Sequence, residues 1–138
     1  MLTTAGIADA DELVAALRQP KREGLVASAR SKWSRDGSRY TEYARRACET
    51  THSELSAIAL VEQDRVVILG SWGWTRIPEE KALSDAICAH VAARPATLAI
   101  EDARRDSLFR SHTIVRALGI VSYLGVPVPP RDSIAWGT

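Results

Sequence analysis

The chain has 138 residues, 46% hydrophobic and 25% charged. That fits one globular domain able to bury roughly two thirds of its unfolded surface, and it excludes disordered, collagen-like and disulfide-framework classes. With 18 basic against 17 acidic residues the net charge is only +1, so nothing electrostatic points to nucleic acid or an anionic membrane as partner.

The opening stretch, MLTTAGIADADELVAALRQP, has neither the basic leader nor the unbroken apolar core of a signal peptide. No apolar run approaches the ~20 residues of a membrane span. A cytoplasmic location is expected. Residues 10–33 carry helical periodicity broken at RQPKREG, which predicts two short helices, DADELVAALR and EGLVASARSKW, punctuated by Pro20 and Gly24. Asp9 or Asp11 can cap the first. After SRDGS a further helix runs from Tyr40 to about Thr50, where Ala44, Ala47, Cys48 and Thr51 recur at three- and four-residue steps.

SELSAIALVEQDRVVILGSWGW reads as a β-hairpin, two β-rich runs around the polar turn EQD. By the period of two, Val66, Ile68, Gly70, Trp72 and Trp74 share one face of its second strand. ALSDAICAHVAARP is a helix with Ser84 as its cap, Ala86, Ile87 and Val91 inward, and Pro95 as its stop. ATLAI is a short strand. EDARRDSLFRSHTIVRALG is a charged loop entering a brief helix with Ile114, Val115 and Leu118 inward, closed by Gly119.

GIVSYLGVPV then reads as a strand whose glycine and proline are unusual for a buried position. Ile120, Leu124, Val126 and Val128 are expected on its core face. Val121, Tyr123, Gly125 and Pro127 fall on the other, where Gly125 leaves a recess beside a large ring. IAWGT begins a last strand after PPRDS. The element order lacks regular strand–helix alternation, so an α+β fold is expected, a largely antiparallel sheet with helices packed on it.

From DAICAHVAARPATLAI through EDARRD, Phe109 and LGIVSYLGVP to RDSIAWGT, the order and spacing resemble a GAF domain, the small sensory module of bacterial signalling proteins, cyclic-nucleotide phosphodiesterases and phytochromes. The resemblance covers residues 39–138 and leaves 1–38 as an N-terminal helical extension. It implies a central, mostly antiparallel sheet with helices on both faces, one side pairing two subunits and the other forming a small-molecule pocket. It also implies a further strand and helix after Thr138, so the chain reads as truncated at that end, with an output domain in a longer parent.

Candidate chemistry is sparse. Cys48 and Cys88 lie 40 positions apart with no CxxC and no zinc-ligand spacing, and read as independent buried thiols. The branch of the family that reduces methionine sulfoxide clusters more cysteines than these. Bilin-carrying members attach chromophore through a cysteine followed directly by histidine. Here Cys88 and His90 are two residues apart, about 200° around a helix, and do not share a face. His52, His90 and His112 as haem ligands have nothing further in their favour. The family's cyclic-nucleotide motif begins with Asn-Lys, and this chain has no asparagine. Asp102 in EDARRD is suited to fixing a tight turn. No Ser/His/Asp set stands out.

The sequence therefore predicts a non-enzymatic regulatory sensor that transmits through a helical homodimer interface. It would bind an unidentified small molecule, with no assigned cofactor, in an apolar pocket lined by Trp72, Trp74, Ile87, Cys88, Val91, Tyr123 and Gly125. The alternative is a dimerisation scaffold whose pocket is collapsed and whose helices, 10–33 and 40–50, build the dimer interface.

Overall fold

The computed structural model describes residues 10–35, 37–74, 80–82, 86–129 and 134–138. Chain order begins with α1 (Ala10–Leu17), α2 (Pro20–Arg35) and α3 (Ser38–Thr51). Pro20 opens α2 instead of breaking it, because the first helical position needs no amide donor and proline's fixed φ suits it. Gly24 is carried inside the same helix, so the punctuation expected there falls only between Leu17 and Pro20. α3 buries Ala44 and Cys48 and ends on His52 in the left-handed region.

The hairpin forms as expected. β1 (Ser56–Val61) pairs antiparallel with β2 (Arg65–Trp72), and a bulge shifts the register between Ile58 and Ala59. A short β3 (Glu80–Ala82), which no periodicity announces, pairs antiparallel with the start of β2. After α4 (Ile87–Ala93) come β4 (Leu98–Ile100), α5 (Thr113–Leu118) and β5 (Tyr123–Gly125), with β4 and β5 antiparallel. Ser84, the expected cap of α4, lies outside the described residues.

Residues 136–138 join the two sheets. Ala59 and Thr138 exchange backbone hydrogen bonds of 2.8 and 3.0 Å, and the Val61 amide donates to the Trp136 carbonyl at 2.9 Å. On the other side Val128 and the 136–137 backbone exchange two bonds of 2.9 Å. The strand expected from IAWGT thus lies between β1 and the continuation of β5.

Alternating residues of the hairpin bury against different helices. Ala59, Val61 and Val66 cluster with Leu13 and Leu17 of α1 and Ala89, Ala92 and Ala93 of α4. Leu60, Val67 and Leu69 cluster with Ala29 of α2, flanked by Tyr40 of α3. Residues 10–35 therefore share the cores of residues 39–138. A third cluster joins Ile87 and Val91 of α4 to Leu98, Ile100, Phe109 and Val115.

One buried side chain and one glycine fix these layers. The Arg22 guanidinium, 2% exposed, donates to the carbonyls of Val61 and of Leu17, the latter at 3.3 Å. It thereby closes the C-terminal end of α1, where a cation is favoured. Burial lowers its pKa to about 10. At Gly70, the backbone of α3 comes so close that a Cβ would lie 2.4 Å from the carbonyl carbon of Tyr40 and 2.6 Å from the Thr41 nitrogen. Only a hydrogen fits.

Candidate functional site

β5 presents the reverse of the expected faces. Gly125 and Pro127 are buried and Tyr123 is half-buried, whereas Leu124 is 54% exposed and Val126 43% exposed. The inner face packs on α4. A Cβ at Gly125 would meet Val91 Cγ2 and the Tyr123 ring and hydroxyl, each at 2.8 Å. The recess expected at Gly125 is therefore filled, and the filling group is the tyrosine two residues before it.

Tyr123 is placed by both partners. Its ring packs against the cluster containing Ile87 and Val91, and Thr138 lies near its hydroxyl. Burial of the phenol, reinforced by the neighbouring Cys88, pushes its pKa well above the ordinary tyrosine value. Cys88 lies half-buried beside the α1–α4 core. Ile87, Cys88, Val91, Tyr123 and Gly125 thus converge where α4 crosses β5, giving apolar walls with a hydroxyl and a thiol as polar groups.

Trp72 and Trp74 do not join them. The bulge in the hairpin makes Leu69 and Gly70 point the same way, since Leu69 packs toward α2 and Gly70 meets the α3 backbone. Trp72, two residues on, follows Gly70 to that side and is 44% exposed. The Trp74 indole N–H donates to the Ser56 carbonyl at 2.8 Å, pinning the start of β1. A one-residue bulge has therefore turned Trp72 to the α3 side of the hairpin.

Next to this site lies a ring cluster that sequence reasoning treated as separate histidines. Phe109, fully buried, stands 5.1 Å from His90 and 5.2 Å from His112 between ring centroids, and the two imidazoles are 6.2 Å apart. Each histidine is 6% exposed. Burial, and to a lesser degree the neighbouring His112, lowers the His90 pKa to about 4. A spacing of twenty-odd residues between two histidines carries no signal for such contact.

The charged loop is organised as a turn. Asp102 accepts from the backbone N–H of Arg104 at 3.1 Å and pairs with its guanidinium at 2.8 Å. These bonds hold its carboxyl below the usual range. Asp106 Oδ1 accepts from the amides of Leu108 and Phe109, which delivers Phe109 to the cluster. Among the described residues no group of three or more metal-ligating side chains assembles, and no helix is long and apolar enough to cross a membrane.

With antiparallel pairing throughout, helices packed on the hairpin, and β4 and β5 joined to it through residues 136–138, the architecture is an α+β, GAF-like fold. The crystal structure of a Burkholderia vietnamiensis protein described as a GAF sensor is similar over 94% of this chain and 77% of its own, with a TM-score of 0.53 and 17% identity. No family model matches the sequence, and no curated protein matches it.

Proposed function

We propose that this chain is a non-catalytic regulatory domain that binds a small apolar molecule at the crossing of α4 and β5 and passes the change to a helical dimer interface built from α1, α2 and α3. The observation that carries this reading is the convergence of Ile87, Cys88, Val91, Tyr123 and Gly125 on one site. In it, the Tyr123 ring and Val91 Cγ2 occupy the space that glycine leaves. A tyrosine ring is a movable plug: its far end can swing where backbone cannot. A ligand would displace it and take over the contacts with Val91, and this would signal only by favouring one arrangement of the helices over another.

One observation favours a second reading, a scaffold that binds no ligand: the Gly125 recess is already closed by the protein's own ring. Native mass spectrometry of the wild type and of Tyr123→Ala separates the two. A retained small molecule in either, with two subunits per particle, supports the sensor. An empty Tyr123→Ala protein that still assembles as a pair supports the scaffold.

A further inference from the structure

We propose that the His90–Phe109–His112 cluster is an acid-released latch: as the medium acidifies, residues 101–118 separate from α4 while the β1–β2 hairpin and α3 stay folded. This goes beyond the proposed ligand site and does not depend on it.

The geometry supports a local opening. Residues 101–118 are tied to the rest of the chain chiefly through the cluster of Ile87, Val91, Leu98, Ile100, Phe109 and Val115, which is separate from the two clusters holding the hairpin to α1, α4 and α2. Their hydrogen bonds are largely internal: Asp102 and Asp106 bind amides within three residues, and the Ala103 amide reaches Val121 at 2.6 Å. Segments built this way open below the global unfolding free energy.

Both imidazoles sit at the seam, one on α4 and one at the N-cap of α5. Protonating either in place puts a cation beside Phe109 in an apolar core, and protonating both sets like charges about two ring widths apart. An open segment lets water solvate them, so acid favours the open form. Among the described residues, the other titratable groups on the surrounding elements are engaged or exposed. Asp102 pairs with Arg104 and Arg105, and Arg94 with Glu12. Asp106 holds backbone amides. Glu101, Arg110 and Arg116 are exposed, while Cys88 lies beside the buried Tyr123 phenol. The charge that acts on His90 is that of His112.

Hydrogen exchange read by mass spectrometry between about pH 7.5 and 5, corrected for intrinsic rates, tests this. With His90 titrating near 4 closed and about 6.5 open, the opening of residues 101–118 should increase about 30-fold over that range, while residues 56–72 change by less than about 3-fold. Equal loss of protection in both regions, or none in 101–118, overturns the latch. The double substitution His90→Gln with His112→Gln should flatten the pH dependence. Should that variant fail to fold, imidazole NMR titration of the wild type decides. A His90 signal titrating below about 5 supports the latch, and one titrating near 6.5 with the segment still protected refutes it.

Discussion

Adding one methyl group at two glycines should move stability in opposite directions. At Gly24, in the interior of α2, a Cβ would meet nothing within 4 Å. Gly24→Ala therefore removes only the backbone entropy that glycine loses on folding and should stabilise by about 0.5–1 kcal/mol. At Gly70 the same methyl would lie 2.4 Å from the Tyr40 carbonyl carbon and 2.6 Å from both its oxygen and the Thr41 nitrogen. These are backbone atoms at the start of α3, so relief requires the helix to lift off β2. Overpacking typically costs about 1–3 kcal/mol, and a rigid obstacle places Gly70→Ala at the upper end, near 3 kcal/mol. Urea unfolding followed by circular dichroism reads both as midpoint shifts at constant slope. The melting temperature should fall by about 10 °C for Gly70→Ala and rise by a few degrees for Gly24→Ala. If Gly70→Ala melts within a degree or two of wild type, α3 does not cross β2 as described, and the placement of Trp72 on that side loses its support.

Replacing Tyr123 by Phe removes a buried hydroxyl that lies near Thr138 and should change stability by no more than about 1 kcal/mol by urea titration. Because the buried phenol resists ionisation, the 295 nm absorbance step of the folded protein near pH 11 should have the same amplitude in Tyr123→Phe as in wild type. A smaller step in the variant would mean that Tyr123 is exposed. Arg22→Met keeps an apolar stem but leaves the Leu17 and Val61 carbonyls without their donor, and should destabilise by about 1–3 kcal/mol, with partial recovery in Arg22→Lys. A neutral Arg22→Met would show that water satisfies those carbonyls. Finally, the His90 pKa is depressed in the folded state. Its contribution is therefore complete above about pH 6.5 and is lost as pH falls toward 4, at most about 3 kcal/mol by linkage. Unfolding midpoints measured between pH 7 and 4 should decline over that window, and a His90→Gln variant should decline less.

Most of the element order was legible because it rests on period. The hairpin alternates at two, α3 repeats small residues at three and four, and Gly119 closes α5 in the left-handed conformation that ends a helix. The orientation of β5 was not legible, since both of its faces are apolar. Leu124 and Val126 alternate with Tyr123, Gly125 and Pro127, and without a polar face the pleat gives no sign of which side is buried. Trp72 was misplaced for a different reason. A strict period of two was carried through Leu69 and Gly70, where the extra residue of the bulge reverses it; Gly70, a residue that often marks a bulge or a close backbone approach, was the one sign of it in VVILGSW. Helix α2 ran longer than expected because a proline's effect depends on its position in the first turn. Within the candidate site, the close approach at Gly125 was legible because glycine beside a large ring signals it, while the identity of the approaching residue, Val91 of α4, was not. The His90–His112 contact needed the tertiary fold.

Residues 136–138 are the hinge pin of the sheet. Among the described residues, five backbone hydrogen bonds along this short span join the hairpin on one side to Val128 on the other, and Thr138 lies near the Tyr123 hydroxyl. A displacement of that ring would pull on the same span that registers β1. In the proposed sensor, a change at the α4 crossing would reach β1 through this three-residue span, where Gly137 is so tightly fitted against the Ala59 carbonyl that no side chain could replace its hydrogen.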